Sequence, residues 1–492
     1  MTNRHLVNVV ISLYNQLATL RNEGISMETS VNLAKRKSLV LFGLSLGYFM
    51  VLLDTTIVTV ALPSIHADMG GAFSSLEWVV NAYTVLFASL LLSMGSLSDR
   101  FGAKRIFISG LVLFAVASAL SGATSSLDLL IVLRGVLGIG GAAMTSASLA
   151  LIASVFQEPK ERTKALGVFA SVSGVALALG PVLGGMLSDW IGWRSIFIVN
   201  VPIAILSLVL IAGCVGETKR NRERGLDLLG QSTAIAFFLA LTFALVEGGS
   251  QGWDSPSVTS AAIIAAVGLL LFVIVEARSE SPMLPFRMLR QRGISAGLVT
   301  GLAVNFGFSG GLFVLTFLFQ QDRGYSAWLT GLAFLPLTLP MMVNPIVTSR
   351  IVNRVGVRLP MICGSILTTI GTLMLTIAGG HHDWLISIDL FLIGYGLSLI
   401  IPPLVMSVVS AAPAGQAGVA SGALNSIRQL GSALGVAVLS LCMNGDGATA
   451  EIAVSSSDAH TAYVVAAIVF AIGGAITILF IGRKSRHAQP SH

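Results

Sequence analysis

Three ionisable side chains sit in stretches where water should be absent. Asp54 interrupts the apolar run from Ser38 to Pro63 (SLVLFGLSLGYFMVLLDTTIVTVALP), Arg134 interrupts residues 128–153, and Arg428 interrupts residues 417–443. Each run is long enough to cross a hydrocarbon core about 30 Å thick as a helix. On insertion scales a carboxylate near the centre of such a helix costs roughly 2.5–3.5 kcal/mol, so an acid kept there signals function. The plain alternative is an acid that pairs with a neighbour only to fix packing. Asp54 follows Lys37 by 17 residues, roughly 25 Å of helix, and Arg134 follows Asp128 by 6, roughly 9 Å from the opposite surface. Both side chains then lie at one level in the same half of the membrane. An arginine beside a buried carboxylate favours the charged form, while desolvation opposes it. An acid held between those pulls can load a proton in one conformation and release it in another. Asp54 is therefore the expected proton carrier and Arg134 its tuning partner, the alternative for Arg134 being a pair that only stabilises.

Arg428 must face a cavity or a partner rather than lipid. Asp389 is the nearest acid in depth, roughly 6 Å away along the membrane normal, and a pair between them is expected. Trp78, Asn81, Asn305, Phe306, Asn344 and Tyr395 are the other candidates for lining a substrate cavity, although most such residues in membrane helices serve packing. His381-His382-Asp383 has weak metal-site character and reads as a solvated turn. Cys214, Cys363 and Cys442 stand singly in apolar segments, with neither disulfide nor metal spacing.

These residues need helices that span lipid to hold them. Charged residues make up 11% of the chain, against about 25% in soluble domains, and the mean hydropathy is +0.86. That places the chain among all-α polytopic membrane proteins. Fourteen spans are predicted: 38–62, 77–97, 105–124, 128–153, 163–187, 195–215, 229–248, 257–277, 294–319, 327–349, 358–379, 384–409, 417–443 and 460–482. The net charge of +6 could suggest nucleic acid, but its placement explains it otherwise. Of 29 Lys and Arg, 25 fall on one side of these spans and only Arg194 and Arg323 on the other. The basic side is the expected cytoplasmic side, with both termini there, in a bacterial inner membrane. Residues 5–20 place Leu6, Val9, Val10, Leu13, Leu17 and Leu20 at helical spacing. They fit an interfacial amphipathic helix, or a stretch ahead of a true start at Met27.

A short repeat divides the chain. Gly95–Arg105 (GSLSDRFGAKR) follows span 2 and Ile351–Arg358 (IVNRVGVR) follows span 10, which sets Gly102 over Gly356 and Lys104 over Arg358. The expected organisation is a cytoplasmic segment 1–37, a six-helix bundle 38–215, a linker 216–293 holding two additional helices, a second six-helix bundle 294–482, and a tail 483–492.

In these motifs the chain resembles the major facilitator superfamily, and within it the fourteen-span drug:proton antiporters, from about residue 38 onward. Leu53–Ile65 (LDTTIVTVALPSI) resembles that family's first-helix signature. Gly95-x-Leu97-x-Asp99-Arg100-x-Gly102-x-Lys104, continuing to Arg105, resembles the superfamily loop motif, with Ala103 where a basic residue is usual. Arg134-x-x-x-Gly138-x-Gly140 resembles the fourth-helix motif, with Gly135 and Leu137 departing from it. Gly180-Pro181-Val182-Leu183-Gly184-Gly185 resembles the antiporter motif of the fifth helix, with Ala176 replacing a glycine. Trp193-Arg194, Phe197, Asn200 and Pro202 resemble the sixth-helix signature.

The resemblance implies two six-helix bundles that rock about a central cleft. It also implies that Asp99 latches the inner face on the positive end of a helix in the opposite bundle. The glycines of 95–105 are expected to form a tight turn and Pro181 to bend span 5. No Gly-Lys pair exists, so there is no Walker A loop to bind ATP. The expected function is export of lipophilic drugs, cationic ones included, by a monomer in exchange for protons, with no cofactor. The alternatives are a dedicated exporter of one metabolite, an uptake symporter, and a membrane sensor or scaffold that does not transport.

Overall fold

The computed structural model describes residues 3–216, 218, 227–279, 286–378, 383–413, 416–443 and 456–481, with side chains from residue 35 onward except at 159, 170, 378 and 456–458. Within those residues every regular element is helical, as lipid requires of segments that must satisfy their own backbone groups. The first group is α1 (Asn3–Met69), α2 (Phe73–Phe101), α3 (Ala103–Ala123), α4 (Leu127–Val155) and α5 (Pro159–Trp190), then a short α6 (Ser195–Ile198) running into α7 (Asn200–Cys214). α8 (Leu228–Gln251) and α9 (Pro256–Arg278) follow as a hairpin. After α10 (Phe286–Leu289) come α11 (Arg292–Phe317), α12 (Ala327–Ala333), α13 (Leu335–Val343), α14 (Pro345–Val355), α15 (Arg358–Ala378), α16 (Asp383–Ala411), α17 (Ala417–Leu441) and α18 (Ser456–Phe480).

Twelve of these helices are long and apolar enough to cross a membrane, or thirteen if the bent pair α13–α14 counts as one span. α17 is long enough, but Asn425, Arg428 and Gln429 lower its apolarity, and it turns Ser426, Gln429 and Ser432 inward. α5 remains one continuous helix through Pro181. A break falls in the tenth span, where α13 and α14 meet at 53° beside Pro345. Proline lacks the N–H that would continue the ladder there.

α1–α7 pack on one another, α11–α18 do likewise, and α8 pairs with α9 while lying on both α2 and α17. α9 turns Ile263, Ile264, Val267 and Leu270 outward, a surface that lipid covers at little cost.

The two groups repeat each other in detail. Gly102 and Gly356 both have φ near +90° (99° and 87°), a turn that a side chain would strain. Lys104 donates to the carbonyls of Ala212 (3.1 Å) and Val215 (2.7 Å) at the C-terminus of α7. Its counterpart Arg358 donates to the Ile478 carbonyl (2.6 Å) at the end of α18. A cation on the orphan carbonyls of a helix C-terminus is favourable in both places. Of the glycines expected in the turn, Gly95 is corrected: it lies inside α2, and only Gly102 makes the turn. The end of the bundle that carries Lys104 and Arg358 is called the basic end below, and the opposite end the far end.

Candidate functional site

Asp54 of α1 and Arg134 of α4 meet inside the first group, at 0% and 1% exposure. Arg134 Nη1 donates to Asp54 Oδ2. Its Nε donates to the Val79 carbonyl of α2 at 2.7 Å, and the guanidinium lies over the Tyr83 ring, 4.6 Å from its centre. The Tyr83 hydroxyl donates in turn to the Val51 carbonyl of α1 at 2.8 Å. A cation is thus held by a carboxylate, a carbonyl and an aromatic face, which is what a charge deep in lipid needs. The fit depends on Gly138, where a Cβ would lie 2.4 Å from the Tyr83 carbonyl oxygen. α2 and α4 can approach closely enough for Tyr83 to reach Arg134 only because that Cβ is missing. Asp54 Oδ1 has no hydrogen-bond partner.

One turn beyond Asp54, α1 packs against the glycine–proline segment of α5. A Cβ on Gly180 would meet Thr56 Oγ1 at 1.8 Å, and one on Gly184 the Ile57 carbonyl at 2.5 Å. The other side of the same segment faces the second group. There a Cβ on Gly185 would lie 2.1 Å from the Ala327 carbonyl, and one on Gly331 would lie 2.5 Å from the Pro181 carbonyl. α5 is therefore clasped between α1 and α12 at backbone contact, which links α12 to the residues next to Asp54. At the far end of α5, Asp189 accepts the backbone N–H groups of Ala327 (3.2 Å) and Trp328 (2.8 Å), the first residues of α12. Trp190 and Trp328 lie with ring centres 5.4 Å apart. Gln320 donates to the Val60 carbonyl of α1 at 2.8 Å. These contacts close the seam between the two groups at the far end.

Nearer the basic end, Tyr48 of α1 stacks on Phe169 of α5 at 4.1 Å. Arg428 of α17 donates from Nε to Asn305 Oδ1 of α11 at 3.1 Å. The expected pair of Arg428 with Asp389 is corrected. Asp389 is buried in α16 with neither carboxyl oxygen hydrogen-bonded, and Arg428 turns to Asn305 across the α11–α17 contact instead.

The remaining cavity candidates divide. Trp78 Nε1 donates to Glu247 of α8 at 3.3 Å. Asn344 donates to Ser398 Oγ of α16 at 2.7 Å within its own group. Phe306 is buried core, with Gly435 against its backbone. Tyr395 stacks on Phe391 along α16. Asn81 is fully buried and its amide has no hydrogen-bond partner. Asp99 and Arg100 lie in the last turn of α2, and Arg105 opens α3 beside Lys104. His381 and His382 lie outside the described residues. Sequence reasoning missed Tyr48, Tyr83 and Asp189. Asp189 had a signal, being an acid at the end of an apolar span, but Tyr48 and Tyr83 were two aromatics among many.

Residues 44–436 match the model of the Major Facilitator Superfamily. The "Multidrug resistance protein Stp" of Mycobacterium tuberculosis (strain CDC 1551 / Oshkosh) is 36% identical over 401 residues, covering 82% of this chain and 75% of that protein. The "Tetracenomycin C resistance and export protein" of Streptomyces glaucescens is 33% identical over 85% of this chain and 78% of its own length. The "Puromycin resistance protein pur8" of Streptomyces alboniger is 35% identical over 86% of each. Among solved structures, the human organic anion transporter MFSD10 superposes with a TM-score of 0.61 over 90% of this chain and 99% of its own, at 19% identity, a likeness of fold alone.

Proposed function

Because this chain belongs to the Major Facilitator Superfamily, and is a membrane transporter rather than an enzyme, we propose that it exports drugs by alternating access, driven by protons that bind and leave Asp54. The observation that carries this reading is the buried Asp54–Arg134 pair joined through α1 and α5 to the seam at α12. Relatives named for multidrug, tetracenomycin and puromycin resistance support the export direction. The driving force is a proton gradient and no cofactor is needed.

The parse is fourteen spans, with α17 and the broken α12–α14 unit counted among them. Two six-helix bundles, 38–215 and 294–482, flank the inserted pair in 216–293. The basic end faces the cytoplasm of a bacterial inner membrane, with both termini there, and the working unit is a monomer. On this reading the conformation seen is closed toward the outside, where Asp189 and the Gly185–Ala327 contact hold the seam. At the basic end, a Cβ on Gly95 or Gly167 would meet nothing within 4 Å, which fits an opening there. When α12 leaves α5, α1 moves with its glycine contacts, Asp54 shifts against Arg134, and its carboxylate gains access to water on the other side. The Gly95–Arg105 segment, with Asp99 and Arg100 at the end of α2, latches the inner face in that second state.

Purified protein in vesicles under an imposed pH gradient should exchange protons for several dyes and antibiotics, and expressing cells should grow at raised concentrations of the same compounds. Several relatives are named for one compound each, which favours a second reading, a dedicated exporter. Exchange with one compound only would establish that version. No exchange with any compound would overturn both.

A further inference from the structure

The cycle above employs Asp54 and Arg134 and leaves Arg428 without a task. Arg428 follows the first residue of α17 by 11 positions, roughly 17 Å into the membrane. Tyr48 follows Lys37 by 11 residues, again roughly 17 Å, and Asn305 follows Arg292 by 13, roughly 20 Å. All three therefore lie near mid-depth on α1, α11 and α17, with α11 packed against both of the others. A guanidinium carries five N–H donors in a planar fork. One of them, on Nε, goes to Asn305. Among the described residues Nη1 and Nη2 have no partner, and neither nitrogen is sealed off from the surface.

No carboxylate answers that charge among the described residues. Asp54 is held by Arg134, and Asp389 makes no bond to Arg428. Tyr48 of the first bundle lies at the same depth as Arg428, 11 residues in from Lys37 as Arg428 is from Ala417. Its ring, stacked on Phe169 of α5, forms a flat apolar wall at that level. A cation in mid-membrane with an unused donor fork is costly until an anion reaches it, and the fork matches a carboxylate in two parallel hydrogen bonds.

We infer that Arg428 is the anion-recognising residue of the transport cleft, and that the preferred substrates are amphipathic aromatic acids whose carboxylate meets Arg428 while the aryl body lies along Tyr48. The inference rests on the export reading and narrows it, turning the expectation of cationic drugs toward acids. A purely structural role, tying α17 to α11 through Asn305, is the competing account.

The test compares 1-naphthoate with 1-naphthamide, which share a ring system and differ in charge, in vesicles holding the full-length protein, with ethidium as a third probe. The wild type should prefer the acid about ten- to a hundredfold, the range for hydrogen bonds to a charged group. Arg428→Gln should bring that preference to about one. Arg428→Lys, which keeps the charge and loses the fork, should keep part of it. A preference that survives in Arg428→Gln, or equal handling of the two probes by the wild type while ethidium is exported, would overturn the assignment and leave export standing. If the wild type moves none of the three, the export reading falls with it.

Discussion

Asp54→Asn tests the coupling most directly, because it keeps the shape of the side chain and removes the proton. In the wild type, one proton entering down about 100 mV supplies roughly 2.3 kcal/mol. At about 1.4 kcal/mol per tenfold, that sustains an accumulation of about 40-fold for a neutral substrate. The amide of the variant exchanges no proton, so the ratio should fall to about one while passive exchange of labelled substrate continues. The substitution also leaves Arg134 charged at 1% exposure, and breaking a buried pair costs about 3–5 kcal/mol. The amide carbonyl can still accept from Nη1, and Val79 and Tyr83 still hold the guanidinium, so the lower end of that range is expected. Arg134→Gln added to Asp54→Asn removes the orphan charge and should recover folded yield without recovering accumulation. The assay is substrate accumulation in vesicles under an imposed potential, with pH-dye readout of proton flux and size-exclusion yield beside it. Accumulation near the wild-type ratio in Asp54→Asn would refute the role given to this acid.

Three further outcomes follow from single contacts. Asp189→Ala removes the acceptor for two N–H groups of α12; an anion at a helix N-terminus is worth about 0.3–1 kcal/mol, or about 2 when partly buried, so the far-end-open population should rise about 2- to 30-fold. Distances between spin labels placed across the far end would report it, and an unchanged distribution would remove the clamp. Lys104→Met and Arg358→Met should each lower stability by about 1 kcal/mol; unequal losses in thermal unfolding would mean the two halves do not use these cations alike. Trp78→Phe should leave the drug profile within about twofold of wild type, since Trp78 bonds Glu247 in α8, and a changed profile would return it to the cleft.

The placement of Trp78 shows where reading the chain stopped working. Trp78 and Tyr83 lie in one apolar run and look equally suited to a cavity. Five residues set them roughly 140° apart around the helix at 3.6 residues per turn. Which of the two faces the ion pair is decided by the rotation of α2, and that rotation follows from where Gly138 lets α4 approach. Arg428 taught the same lesson, since depth arithmetic put Asp389 at a suitable level but could not say that it lies on another face of the bundle. Asp189 is a third case. Its acid was visible at the end of span 5, but its partner, the start of α12, is 138 residues away in the chain.

By itself the sequence determined the helical character, the approximate place of twelve spans, the basic side, the likeness of the two halves at Gly102/Gly356 and Lys104/Arg358, and the pairing level of Asp54 and Arg134. Those follow from one-dimensional causes: lipid forces apolar runs into helices, and rise per residue converts position into depth. Only the tertiary structure decided that a proline break falls at α13–α14, that Arg134 has Val79 and Tyr83 as well as Asp54, and that Arg428 stands without a counter-ion among the described residues. Each depends on how helices are turned about their axes and how closely two backbones approach, and close packing between distant segments settles that in three dimensions.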